Sequence, residues 1–323
     1  MLPIWQLSLG IALLFVALLL GSGCLYQWIG ERKDARAHPA PGRLISVGER
    51  KLHLLCKGSV GPTVVIEMGA GEPSKFWWPL QGEVAKFAQV CTYDRAGYGW
   101  SEASHGPRTI EDRARELHEL LSNAEVHGPL IFVAHSYGGF IVRSYLRQFP
   151  GEGAGLVLVD TPSESSLFQA DVLSFYAKAR AMNRVVGFVS RFGVLRLLSR
   201  WIALDRIGLW LTRPAEYAAL CDDLASLERV PAPMRAVDSA GSLGPLPLIV
   251  ITHGQPFPGP FAILERNWSQ GQAELAALST GSVLVVAKNS NHMIQQDEPA
   301  VIVEAIRRVH SAVKKGASLA DSE

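Results

Sequence analysis

The stretch Pro129-Leu-Ile-Phe-Val-Ala-His-Ser136-Tyr-Gly-Gly-Phe-Ile-Val-Arg-Ser-Tyr145 reads as a buried strand, a sharp turn with Ser136 at its tip, and then a helix. Residues 130–133 form an apolar run long enough for a strand and too short for a helix. After Gly138 and Gly139, the residues Phe140, Ile141, Tyr145 and Leu146 recur at helical spacing until Pro150 stops the pattern. A nucleophile on such an elbow sits in strained backbone, so the residues two before and two after it must be small. Ala134 and Gly138 fill those places, one methyl away from Gly-x-Ser-x-Gly. The helix N-terminus beneath Ser136 favours negative charge developing beside it. The competing reading is a serine in an ordinary strand–turn–helix, because small-x-Ser-x-Gly is a common pattern.

A chain of 323 residues holds one large domain with an ample core. With 31 basic and 30 acidic side chains, a net charge of +1 and no basic stripe, nucleic acid is not an expected partner. Cys24, Cys56, Cys91 and Cys221 lie far apart with no C-x-x-C pair, which argues against a zinc site.

Residues 2–29 carry no charged side chain, and 7–20 are almost pure Leu, Ile, Ala, Val and Phe. As a helix this segment rises about 42 Å, more than the roughly 30 Å hydrocarbon core of a bilayer. Trp5, Tyr26 and Trp28 fall near its ends, where amphipathic rings prefer to sit. A cleaved signal peptide is the competitor, but no Lys or Arg precedes the run and the run is long. Residues 1–29 are therefore read as a single-pass membrane anchor. Residues 30–42, charged and then rich in Pro, read as a tether, and 315–323 as a flexible tail. Arg32, Lys33 and Arg36 follow the span and no basic residue precedes it, so the positive-inside rule favours a cytoplasmic catalytic domain.

From Gly42 onward strand and helix patterns alternate, which predicts an α/β fold with a mostly parallel, doubly wound sheet. Strands are expected at 43–47 and 51–56 as a hairpin, then at 63–67, 88–93, 130–133, 155–159, 246–251 and 282–287. Helices are expected around 80–86, 110–123 and 299–313. The core comprises 43–161 and 245–314. Residues 162–244 break the alternation with helical runs at 167–181, 185–204 and 214–228, and end in Pro231, Pro233 and Gly241. An insertion of this size reads as a helical cap, its apolar faces either packed on the main domain or open to a lipid-like ligand.

Four blocks now carry a resemblance to the α/β-hydrolase superfamily, from about residue 42 to 314. Val64-Val-Ile-Glu-Met-Gly-Ala-Gly71 resembles the strand and oxyanion loop, with Met68 where many members have His. Tyr93-Asp-Arg-Ala-Gly-Tyr-Gly-Trp-Ser101 resembles the D-x-R-G-x-G-x-S turn, and Ala134-His-Ser-Tyr-Gly138 the nucleophile elbow. Asn289-Ser-Asn-His-Met293 resembles the loop that holds the catalytic histidine.

A serine hydroxyl needs a neutral imidazole to take its proton. His292, just past the last strand, is the expected base. His135 adjoins Ser136 but should point away, and His253 follows a strand with no carboxylate nearby in sequence. His38, His53, His105, His118, His127 and His310 suit solvated or packed roles. For the orienting acid, residues 252–262 supply none, so Asp160 at the end of the preceding strand is expected, with Glu164 in reserve. The order Ser136, Asp160, His292 keeps the Ser…Asp/Glu…His order of the fold. By the resemblance, the backbone N–H groups of Tyr137 and Ala70 form the oxyanion hole. Asp94 and Arg95 read as structural, and Asp297 and Glu298 as caps of the last helix.

The resemblance implies a serine hydrolase that cleaves an ester, or secondarily an amide or peptide bond, without metal or organic cofactor. A cofactor-free haloperoxidase would share the same triad. Ser136 itself excludes the aspartate nucleophile of haloalkane dehalogenases and epoxide hydrolases. Phe76, Trp77 and Trp78 beside the oxyanion loop suggest an apolar small-molecule substrate. A catalytically silent binding or scaffold protein is the alternative from another class. Finally, the fold implied by the resemblance sets the strand ending at Cys56 beside that holding Cys91. A bridge there would speak for an oxidising compartment, against the charge-based topology.

Overall fold

The computed structural model describes residues 3–104, 106–199, 209–228 and 240–319. His105, the end of the expected cap run up to Leu204, Pro231, Pro233 and the tail beyond Leu319 lie outside the described residues.

Eight strands form one sheet: β1 (Arg43–Val47), β2 (Arg50–Lys57), β3 (Thr63–Glu67), β4 (Val90–Tyr93), β5 (Leu130–His135), β6 (Gly153–Val159), β7 (Leu248–His253) and β8 (Ser282–Ala287). Their spatial order is β1-β2-β4-β3-β5-β6-β7-β8. The pairs β1/β2 and β2/β4 are antiparallel and all others parallel. Every residue of β3, β4 and β5 is buried, as continuous apolar runs in a sheet covered on both faces require. Helix α2 (Trp78–Val84) packs with the closing helix Pro299–Lys315, and α3 (Ile110–Asn123) packs with α4 (Gly138–Gln148). Helix α3 begins in a reciprocal capping box between Thr109 and Asp112.

The register sets Cys56 opposite Cys91 on β2 and β4, and the two are joined by a disulfide. The strand adjacency implied by the resemblance is present.

Between β6 and β7 the described residues are helical: α5 (Glu164–Leu167), α6 (Ala170–Ser190), α7 (Val194–Ser199) and α8 (Pro214–Glu228). Helix α8 is fixed to the core through charge. Buried Asp223 accepts from Arg95 Nη2 at 2.9 Å, the Tyr98 hydroxyl at 2.8 Å and Arg113 Nη2 at 2.7 Å. Burial opposes ionisation of Asp223, but the two guanidinium groups hold its carboxyl below its ordinary value. Removing this acid leaves buried Arg95 with Glu67 and buried Arg113 with the partly exposed Asp222, so Asp223→Ala should cost about 3 kcal/mol, the low end for a broken buried pair. A chemical denaturation curve that matches the unmodified protein would show the network to be energetically idle.

The N-terminal helix α1 runs unbroken from Ile4 to Ala37, and it is long and apolar enough to cross a membrane. The expected tether at 30–42 is thus corrected: residues 31–37 continue the helix, and only 38–42 lie between it and β1. Apart from Asp34 this segment consists of Glu, Arg, Lys and Ala, all good helix formers, and no proline follows α1 until Pro39.

Candidate active site

Parallel strands of such a sheet present their C-terminal edge to ligands, and the four quoted sequence blocks meet there. Ser136 leaves β5 with φ of +50°, a strained conformation for a residue with a side chain, while its N–H still donates to Val159 O at 3.0 Å. The strain is held because helix α4 must turn back at once beneath β3. A Cβ on Gly138 would lie 2.6 Å from Glu67 O, so only glycine fits.

His292 Nε2 lies 3.0 Å from Ser136 Oγ, and His292 Nδ1 lies 2.7 Å from Asp160 Oδ2. With Nδ1–H donating to the carboxylate, Nε2 is left to accept the serine proton. Asp160 is fully buried at φ +44°. Glu164, the reserve acid, pairs instead with Arg143 at 2.8 Å. The structure therefore brings Ser136, His292 and Asp160 together and leaves Glu164 out.

Asp160 serves a second imidazole. His253 Nδ1 lies 2.8 Å from each of its oxygens, the His253 N–H donates to Oδ1 at 3.0 Å, and Trp268 Nε1–H donates at 3.3 Å. Burial favours neutral Asp160, but hydrogen bonds from His253 and His292 override it and hold the carboxyl well below the carboxylate range. Burial likewise works against His253 carrying charge, yet Asp160 and Glu265 raise its pKa above the ordinary value. The expectation that His253 has no carboxylate nearby is corrected. Strand β7 extends to His253, two residues past the predicted end, and its register with β6 carries His253 beside Asp160.

The Gly69-Ala70-Gly71 loop is braced from below. Glu72 Oε2 accepts from the N–H of Gly69 at 2.9 Å, from Trp77 Nε1 at 3.2 Å and from His135 Nδ1 at 3.0 Å. Arg95 donates to the carbonyls of Met68 and Gly69, each at 2.7 Å, which bears out its structural reading. No acceptor within the described residues takes the N–H of Ala70 or Tyr137. His135 points away from Ser136, as expected, and its Nε2 lies 3.0 Å from the carbonyl of His292. It thereby ties the Gly69-Ala70-Gly71 loop to the loop that carries His292.

Glu72 is the site residue that sequence reasoning missed. Its only signal was an acid directly after Gly69-Ala70-Gly71. Burial opposes its ionisation, but His135 and the Gly69 N–H hold it down at about 2, while Glu72 raises His135 against the effect of burial. The stability Glu72 contributes is present above its unfolded value near 4.5 and is lost as pH falls toward 2. That of His135 is present below 6.5 and is lost as pH rises through its raised value. Thermal melts of Glu72→Gln should fall below the unmodified protein at pH 5–6.5 and converge with it in strong acid. Parallel melting curves across that range would contradict this pairing.

Two further readings change. Glu298 stands at the N-cap of the closing helix, as expected, but its side chain makes no capping bond; Asp297 and Glu298 instead brace the histidine loop, Ser290 Oγ donating to Asp297 at 3.1 Å and the Asn289 N–H to Glu298 at 2.8 Å. Trp77 is buried on Glu72, and Trp78 stacks on Trp100 at 5.4 Å, so both rings are engaged in packing. Phe76 is half-buried against the core, and further apolar surface lies at the site. Phe257 lies 5.2 Å from the His292 ring, and Leu220 of α8 approaches the position a Cβ on Gly71 would take to 3.5 Å. Among the described residues no cluster of His, Cys, Asp or Glu has the arrangement of a metal site.

Sheet order, elbow and cap together define an α/β-hydrolase fold. Residues 69–305 match the model of the alpha/beta hydrolase family, and the chain belongs to that family. It is 30% identical over 256 residues to the uncharacterized protein YqjL of Bacillus subtilis (strain 168), which covers 79% of this chain and 86% of that one. Among solved structures it is similar to the Cif epoxide hydrolase from Acinetobacter nosocomialis, with TM-score 0.67, 15% identity and 88% of this chain and 96% of that one covered. It is also similar to a thermophilic esterase from Thermogutta terrifontis, with TM-score 0.58, 20% identity and coverage of 83% and 98%. At such identities these structures share the fold.

Proposed function

We propose that this chain is a membrane-anchored serine hydrolase that cleaves a carboxylic ester. Ser136 Oγ attacks the carbonyl as His292 Nε2 takes its proton, and Asp160 orients and stabilises the imidazolium. The developing oxyanion accepts from the N–H groups of Ala70 and Tyr137. His292 then protonates the leaving alcohol, and water activated by the same imidazole releases the acid from Ser136. The observation that carries the reading is the unbroken relay from Ser136 Oγ through His292, at 3.0 and 2.7 Å, to buried Asp160. Phe257 beside His292 and Leu220 beside Gly71 favour an apolar substrate. Turnover of p-nitrophenyl esters of rising chain length, beside the matching anilides, tests this. Esters should be cleaved and anilides should lag; no hydrolysis of any ester, with no labelling by a fluorophosphonate, would refute it.

Helix α1 supplies the anchor, by length and composition. For its orientation, the Cys56–Cys91 bridge supports an oxidising compartment and stands against the cytoplasmic placement favoured by charge. Mass spectrometry of native membranes after alkylation should recover a linked Cys56–Cys91 peptide. Two alkylated thiols would restore the cytoplasmic orientation.

A further inference from the structure

The C-terminal half of α1 is seated on the cap. A Cβ on Gly23 would lie 2.6 Å from the carbonyl of Phe192, and one on Gly30 would strike the Arg196 guanidinium at 2.5 Å. Gln27 is buried in this contact, accepting from Arg196 Nε at 3.2 Å and donating to Thr212 O at 2.9 Å. Two turns beyond Gln27, Asp34 and Arg196 form an ion pair at 2.7 Å.

From Ile4 to Gly23 the helix rises about 29 Å, close to the roughly 30 Å thickness of a hydrocarbon core. If α1 spans a bilayer, the contact from Gly23 to Gly30 falls at headgroup depth. The cap is therefore not free to stand away from the membrane, because the contact sets its height. The side of the cap next to this contact is apolar and open. On α6, Met182, Val185 and Phe188 follow one another at three-residue spacing, exposed by 66%, 63% and 58%. On α7, Val194, Leu197 and Leu198 occupy one face and are also exposed. Arg184 and Arg191 stand exposed among them. From 172 to 199 the sequence has no Asp or Glu; of its basic residues Arg180 pairs with Glu228 and buried Arg196 with Asp34, which leaves Lys178, Arg184 and Arg191 exposed for the surface.

We infer that this face of α6 and α7 is a docking surface for the lipid bilayer, with its apolar side chains in the headgroup–acyl boundary and its arginines among anionic headgroups. Large apolar residues flanked by basic ones, with no acid among them, are what an interfacial helix needs. The occupant is lipid rather than a second copy of the chain because α1 fixes the face at the membrane surface. The inference rests on the anchor reading above, and it is independent of the proposed catalysis.

The test uses the full chain, one copy per nanodisc, in a phosphatidylcholine–phosphatidylglycerol bilayer. Cys24 and Cys221 are replaced by Ala, and an environment-sensitive fluorophore is placed at Phe188→Cys, Leu197→Cys, Leu14→Cys in the span or Val286→Cys on β8. Labels at 188 and 197 should be quenched by a spin-labelled lipid and be several-fold less accessible to iodide than the label at 286. Water-exposed labels at 188 and 197, with 14 in lipid, would overturn the docking and leave the anchor standing. A water-exposed label at 14 would overturn both. Shielding from iodide without quenching by the lipid would assign the face to a protein partner and also overturn the inference.

Discussion

Ser136→Ala is expected to abolish labelling by a fluorophosphonate and to lower ester turnover by about 10⁶-fold, leaving only what substrate binding and the oxyanion donors provide. The size of the effect follows from the geometry. Ser136 Oγ is the one nucleophilic atom held 3.0 Å from His292 Nε2, and its backbone is strained at φ +50° to keep it there. His292→Ala should fall as far, because the hydroxyl then has no acceptor for its proton and the two residues act as a unit. The double variant should be no worse than either single one. If the two losses instead add, or if His292→Ala keeps labelling at the unmodified rate, the pair does not form one nucleophilic device. A folded control is available in the melting transition, which Ser136→Ala should leave in place.

Asp160→Asn should lower turnover by about 10⁴-fold with the fold intact. An amide in that position can present its NH₂ to His292 Nδ1, which turns the imidazole toward the wrong tautomer and removes the charge that stabilises the imidazolium. The effect should be accompanied by a fall in melting temperature, because raised-pKa His253 also loses its counter-charge. His253→Asn separates the two consequences. It removes one donor to Asp160 but leaves the 2.7 Å bond to His292, so a loss of about ten-fold is expected. Equal activity losses in Asp160→Asn and His253→Asn would mean that His253, not His292, is the imidazole through which the acid acts.

Much of the architecture could be read from local pattern. Continuous apolar runs marked the buried strands, because in a covered parallel sheet both faces of a strand need apolar side chains. The elbow at Ser136 was legible for a different reason: a sharp strand-to-helix turn admits only small neighbours, and Ala134 and Gly138 write that restriction into the sequence. The break in alternation from 162 onward marked the cap. What failed were ends and partners. The charge of 31–37 reads as a tether, although Glu, Arg, Lys and Ala, with one Asp among them, continue a helix as readily as they solvate a loop. The place of Phe76, Trp77 and Trp78 in the chain points to substrate, whereas packing against Glu72 and Trp100 engages Trp77 and Trp78.

The sequence by itself determined the class of fold, the serine on its strand-to-helix elbow and the apolar length of the N-terminal helix, since each is written in neighbouring residues whose sizes and spacing are fixed by local sterics. Only the tertiary structure decided which acid faces His292, because Asp160 and Glu164 are equally near in sequence and differ in whether the end of β6 or the start of α5 holds them. The same holds for the shared use of Asp160 by His253 and for the brace from Glu72 through His135 to the His292 carbonyl. These contacts join residues 93, 63 and 157 positions apart. No local preference encodes such distances; the register of parallel strands and the burial of charge beside its partner do.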